Sequence, residues 1–173
     1  MKRLFSPWRS QYIATFKDGK NKKEKCLFCR LAKEHNDGLN LIVARKEHCY
    51  VVMNRYPYNS GHLMIVPYTH APKFEELSRE EYADIMATTS EMIHALGKVS
   101  HPQGFNFGAN LGRVAGAGID QHVHFHLVPR WNGDTNFMPT IGEVKLVSED
   151  TKTTYRELMK VLRKVRSNKW SKE

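Results

Sequence analysis

Gln121-His122-Val123-His124-Phe125-His126-Leu127-Val128-Pro129-Arg130 is the stretch whose reading decides the fold. Three histidines alternate with Val, Phe and Leu. A β-strand sends successive side chains to opposite faces and rises about 3.3 Å per residue. His122, His124 and His126 would then form one row, with neighbours about 6–7 Å apart. Val123, Phe125 and Leu127 would form the opposite row. On a helix, His124 would fall far round the cylinder from the other two. β-branched and aromatic partners also favour a strand. The predicted element has one face to bury and one that offers three imidazoles. One strand histidine is ordinarily a satisfied polar group. Three in register mark a site, because clustered titratable groups concentrate where chemistry is done.

Immediately upstream, Leu111-Gly112-Arg113-Val114-Ala115-Gly116-Ala117-Gly118-Ile119-Asp120 reads as a loop that feeds the histidine strand. Its glycines permit close backbone approach to phosphates. It is neither a P-loop, since no Gly-Lys-Ser/Thr follows, nor Gly-x-Gly-x-x-Gly, since Gln121 stands at the third glycine's place. Four further strands are predicted: Leu41 to Ala44, His48 to Met53, His62 to Pro67 and Phe105 to Asn110. Arg45-Lys46-Glu47 suits a hairpin between the first two. Ser78 and Glu81 form a capping box. Tyr82, Ile85, Met86, Thr89, Met92, Ile93 and Leu96 follow at helical spacing and are expected to face the core. That helix should stop at Gly97 or at Ser100-His101-Pro102. A short helix is expected over 30–36, ended by Asn36-Asp37-Gly38, and an amphipathic one over 151–168, with Tyr155, Leu158, Met159, Leu162 and Val165 inward. Five strands with short connections, one long helix and a final helix predict an α+β domain with a mostly antiparallel sheet.

The chain of 173 residues suits one domain: an arm over 1–25, the domain proper over 26–140 and a basic extension over 141–173. No apolar run is long enough for a membrane span, and the first residues lack a secretory signal, so a cytoplasmic protein is expected. The three cysteines fit a reducing compartment. Cys49, alone in a strand, reads as a small core residue. The formal charge of +9 suits an anionic partner. The lysines and arginines crowding the C-terminus, with Trp170, leave nucleic-acid binding open as an added property. It would not explain the histidines.

Cys26-x-x-Cys29 has metal-ligand spacing and supplies half of a four-ligand zinc site. His70, in a loop, and one histidine of the row are candidates for the rest; spacing does not choose which of the three. Imidazole can also act as a nucleophile toward phosphorus when its far nitrogen donates to a fixed acceptor. A third possibility is an open three-histidine zinc site that activates water, which leaves the cysteines unused.

His122-Val123-His124-Phe125-His126-Leu127-Val128-Pro129-Arg130 resembles the signature of the histidine-triad family of nucleotide hydrolases and transferases. Asn54-Arg55-Tyr56-Pro57-Tyr58-Asn59-Ser60-Gly61-His62-Leu63-Met64 is similar to the family's nucleotide-side loop and strand. Pro7 to Ile13, Phe107 to Gly112 and Pro129 to Met138 resemble the branch containing bacterial diadenosine tetraphosphate phosphorylases. The resemblance implies the histidine-triad fold, a homodimer and cleavage of dinucleoside polyphosphates. It implies His124 as nucleophile at the α-phosphorus and His126 as a phosphate contact. Asn54, His62, Asn110, Gly116, Ala117 and Gly118 would line the nucleotide and phosphate side. Cys26, Cys29, His70 and His122 would hold structural zinc. Where Gly118 stands, some relatives carry a hydroxyl or amide. Phosphate or water could be the acceptor, and nucleoside phosphoramidates are an alternative substrate.

Overall fold

The computed structural model describes residues 26–134 and 150–169, with side chains as far as Lys164. The arm with Trp8 and Tyr12, the Thr135–Met138 part of the motif, the Val165 side chain and Trp170 lie outside the described residues.

Five strands form one antiparallel sheet: β1 (Ile42–Arg45), β2 (Cys49–Met53), β3 (Leu63–Pro67), β4 (Gly104–Ala109) and β5 (Phe125–Arg130). Their order is β1-β2-β3-β5-β4. Helices α1 (Leu27–Lys33) and α2 (Asp37–Asn40) precede the sheet. Helix α3 (Arg79–Ser100) joins β3 to β4, and α4 (Thr151–Lys169) comes last. The α+β expectation, with its antiparallel sheet and two principal helices, is met.

Alternation along β2 explains the layering. Cys49, Val51 and Met53 enter a core shared with Ile85, Met92 and Leu96 of α3 and with Leu158 and Leu162 of α4. Tyr50 and Val52 enter a smaller core on the other face, with Phe28 and Leu31 of α1. A strand buried on both faces has no room for a polar face, and all five β2 residues are buried. Tyr50 resolves its hydroxyl by donating to the Phe28 carbonyl at 2.9 Å.

The capping box forms as read: the Ser78 hydroxyl accepts from the Glu81 N–H, and the Glu81 carboxylate accepts from the Ser78 N–H. Helix α3 runs through Gly97 and ends at His101, which takes a left-handed conformation. Two of its expected core residues differ. Met86 and Ile93 are exposed, while Thr88 and Ala95 are buried. The arc facing the sheet is centred on Ile85, Met92 and Leu96, and residues one position beyond it turn to solvent. The first helix also differs from the expected 30–36. It starts at Leu27, and a further helical turn, Asp37–Asn40, occupies the expected stop. Arg45 explains the change: its guanidinium donates to Asp37 and to the carbonyls of Leu31, Ala32 and Glu34, tying the two helical pieces together.

Candidate functional site

The histidine strand is shorter than its motif. β5 begins at Phe125, so His122 and His124 precede the strand. Two local facts end the ladder. Pro67 has no N–H to donate, and its carbonyl is taken by the His122 ring, with Nε2 at 3.0 Å. The Val123 N–H donates to the Ala71 carbonyl instead, at 2.8 Å. The two-sided arrangement survives. Val123, Phe125 and Leu127 lie in the main core. The rings of His122 and His124 meet Phe28 of the smaller core, at 5.5 and 4.8 Å between centroids. The His124 and His126 rings meet edge-on at 5.0 Å.

The three imidazoles occupy different settings. His122 is buried, which pushes its pKa down to about 4 and keeps it neutral. Its Nε2–H donates to Pro67, so Nδ1 presents a lone pair. That nitrogen lies 3.4 Å from Cys26 Sγ and 3.5 Å from Cys29 Sγ. Cys29 Sγ is also 3.3 Å from His70 Nδ1. All four ligand atoms fall within 4.8 Å of one another. A tetrahedral zinc with ordinary Zn–S and Zn–N bonds separates sulfur from nitrogen by about 3.6 Å. The Cys–His spacing therefore fits a four-coordinate metal. Helix α1 creates the cysteine half, because its first turn sets Cys29 three residues after Cys26, whose carbonyl accepts from the Arg30 N–H at 3.0 Å. This is the one Cys/His/Asp/Glu cluster able to hold a metal among the described residues. It takes a single triad histidine, which argues against an open three-histidine site.

His124 is buried too, and burial lowers its pKa. Nδ1 lies 3.0 Å from the His122 carbonyl and donates to it. The other nitrogen, Nε2, then holds the free electron pair of a neutral imidazole.

His126 is fixed from behind. The Tyr58 N–H donates to His62 Nδ1 at 3.0 Å. His62 must then carry its proton on Nε2, which is 2.9 Å from His126 Nδ1. His126 accepts there and carries its own proton on Nε2. His62 is fully buried, with the Tyr58 ring stacked on it at 4.8 Å.

The remaining predicted residues lie in the loops between β2 and β3 and between β4 and the triad. The side-chain oxygen of Asn54 accepts from the Tyr56 N–H at 2.9 Å and shapes the loop before β3. Ala109 pairs with Phe125, so Asn110 is the first residue beyond the end of β4, where that strand meets the start of β5. Gly116 has a left-handed conformation, Ala117 is buried and its N–H donates to the Gly112 carbonyl, and Gly118 is exposed. Phe28 and Tyr58 were not singled out from sequence. The available signal for Phe28 was its place within the Cys26-x-x-Cys29 turn.

A HIT domain matches residues 38–133, more than half of the chain. The chain belongs to this family, whose histidine-triad members are nucleotidyl-transferring and hydrolysing enzymes. Within it, the chain is 39% identical over 161 residues to a protein of Mycobacterium tuberculosis named AP-4-A phosphorylase, covering 91% of this chain and 83% of that one. It is 34% identical over 107 residues to an adenosine 5'-monophosphoramidase of Schizosaccharomyces pombe, covering 62% and 75%. The fold matches a Zn-bound histidine triad family protein from Mycobacterium smegmatis with a TM-score of 0.68, at 24% identity, over 83% of this chain and 97% of that one.

Proposed function

We propose that the protein cleaves dinucleoside polyphosphates such as diadenosine tetraphosphate at the α-phosphorus, through a covalent nucleotidyl-His124, with inorganic phosphate as acceptor. The observation that carries this is the His124 hydrogen bond. With Nδ1–H held by the His122 carbonyl, Nε2 has its lone pair free to attack. The new P–N bond forms as the bond from phosphorus to the bridging oxygen breaks, and that oxygen leaves with the electron pair on the departing nucleotide. The positive charge left on His124 is stabilised by the carbonyl at Nδ1. A phosphate oxygen then attacks the same phosphorus, the P–N bond breaks, and neutral His124 returns. Diadenosine tetraphosphate would yield ATP and then ADP. His126, with Nε2–H as a donor, would hold a phosphate oxygen, and Asn54, Asn110 and Gly116-Ala117-Gly118 would line the phosphate and nucleoside side. His62 would act through His126.

The choice of phosphate as acceptor is supported by the likeness to the mycobacterial phosphorylase. The likeness to a phosphoramidase supports a second reading, with water as acceptor or a phosphoramidate as substrate. Incubation with diadenosine tetraphosphate, with and without phosphate, separates them. ADP that forms only with phosphate supports the phosphorylase, and AMP with ATP in water supports the hydrolase.

We propose zinc as the metal at Cys26, Cys29, His70 and His122. The donor set and spacing support it, as does the metal named for the M. smegmatis relative. With four protein ligands the ion would be structural: it would clamp α1 onto the segment bearing His124. No helix among the described residues is long and apolar enough to cross a membrane. Cysteines employed as metal ligands rather than in a disulfide would suit a reducing, cytoplasmic compartment. A homodimer is supported by β4, an edge strand with Asn106, Phe107 and Gly108 exposed.

A further inference from the structure

The triad brings imidazoles to the substrate but no fixed positive charge. A polyphosphate carries several negative charges beyond the phosphorus that reacts. Arg113 is the sole lysine or arginine between Lys98 and Arg130, and Asp120 is the sole acid between Glu91 and Asp134. The two pair with each other, Nε to Oδ2 at 3.3 Å, across the loop that runs from β4 to the triad. That loop leaves the sheet and returns to it at one place, where Ala109 pairs with Phe125. Its turn is tightened by N–H donation from Ala115 and Ala117 to the Gly112 carbonyl and from Gly116 to the Arg113 carbonyl. Asp120 is four residues before His124, so the chain holds the two Cα atoms within about 14 Å. The Arg113 guanidinium, seated on Asp120, is kept in the same neighbourhood.

We infer that Arg113 determines specificity for the polyphosphate tail: its guanidinium exchanges Asp120 for phosphate oxygens beyond the α-phosphorus. This rests on the dinucleoside polyphosphate reading above. The Arg113 side chain is 82% exposed and that of Asp120 33%, and a pair with so solvated a guanidinium is weakly held. A phosphate offers the guanidinium fork two oxygens and a greater charge. Asp120 would keep the arm near the site when it is empty.

The test compares kcat/KM for diadenosine tetraphosphate with kcat/KM for adenosine 5'-phosphoramidate, whose leaving group has no phosphate. The wild type, Arg113→Gln and Arg113→Lys are measured. In Arg113→Gln the ratio should shift against the tetraphosphate by about tenfold or more, and Arg113→Lys should recover part of it. A ratio unchanged within about twofold in Arg113→Gln overturns the inference. A wild type that cleaves neither compound overturns the underlying reading, and this one with it. The exposure of Arg113 lets both variants fold.

Discussion

His62 Nε2 lies 2.9 Å from His126 Nδ1, and this bond sets which nitrogen of His126 carries a proton. The direction comes from the far end of the chain of bonds. Tyr58 can only donate through its N–H, so His62 Nδ1 can only accept. The order Tyr58 to His62 to His126 follows. His62→Ala should therefore lower kcat by about 10- to 100-fold, the usual range for a group that orients an active residue from behind. KM should change less, because His62 is fully buried. Nitrogen NMR of the histidine rings checks the cause: His126 should lose its single tautomer in the variant. Retention of that tautomer with normal kcat would remove His62 from the mechanism.

His124→Asn deletes the nitrogen proposed as nucleophile and keeps a polar side chain of smaller size. Turnover should fall by at least about a thousandfold, as removal of a covalent nucleophile does. Calorimetric affinity for the uncleaved substrate should stay within several-fold of the wild type. Wild-type enzyme quenched during turnover should gain the mass of one nucleotidyl group on the peptide bearing His124. A variant that still turns over at near-normal rate contradicts covalent catalysis by this residue.

Much of this arrangement was legible from local pattern. The alternation around His124 put Val123, Phe125 and Leu127 in the core and the histidines on the other side, as observed. Ser78 and Glu81 announced the start of α3. What stayed hidden depends on partners distant in sequence. Nothing near Phe125 says that β5 begins there, because the cause is the His122 ring on the Pro67 carbonyl. Nothing near His62 says that a backbone N–H will fix its tautomer. A Cys-x-x-Cys announces half of a candidate metal site, but the histidines that meet Cys29 are 41 residues away at His70 and 93 at His122. Met86 and Ile93 fit the helical period yet face solvent, because the period gives the direction of a stripe and tertiary packing gives its width.

Metal analysis should find one zinc per chain. The four donors are already grouped, so binding costs little rearrangement. Cys29→Ser should lose most of that zinc. It should also lower the thermal midpoint, because α1 then loses the metal clamp to the triad segment and keeps the Phe28 ring contacts with His122 and His124. Plasma emission analysis and a melting curve on the same sample check both. A variant that keeps a full equivalent of zinc and melts normally would remove Cys29 from the ligand set.

Cys49 should behave unlike the other two thiols. Its sulfur is buried and 3.6 Å from the Thr88 hydroxyl, and burial pushes its pKa up to about 12. The folded state therefore favours the protonated thiol. That contribution is fully present below about pH 9, the ordinary thiol value. It is lost as the pH rises toward 12, because the unfolded chain ionises first. Folded protein treated with iodoacetamide at pH 8 should carry no label on Cys49, and protein unfolded in urea should carry one. Cys49→Ala should flatten the alkaline part of the stability profile. Labelling of Cys49 in the folded state would mean that the β2 core opens more readily than its packing implies.

Gly61 and Gly112 separate two costs that usually come together. Both have positive φ, +74° and +81°. A side chain at either position costs about 1–2 kcal/mol for the left-handed backbone alone. Around Gly112 there is nothing within 4 Å of an added Cβ. At Gly61 the same atom would stand 3.2 Å from Leu96 on α3 and 3.2 Å from Pro129 on β5. Leu96 is fully buried and cannot swing aside. Overpacking adds about 1–3 kcal/mol, so Gly61→Ala should destabilise by about 2–5 kcal/mol and Gly112→Ala by only the backbone cost of about 1–2 kcal/mol. Urea melts should show the midpoint falling further for Gly61→Ala at an unchanged slope. The two variants should diverge in activity as well. Gly61 adjoins His62, so a backbone shift there reaches His126 through one hydrogen bond. Gly112 adjoins Arg113, so a shift there should fall mainly on polyphosphate substrates. Equal stability losses at the two positions would show that the α3–β5 junction yields, and that Gly61 is required for its φ alone.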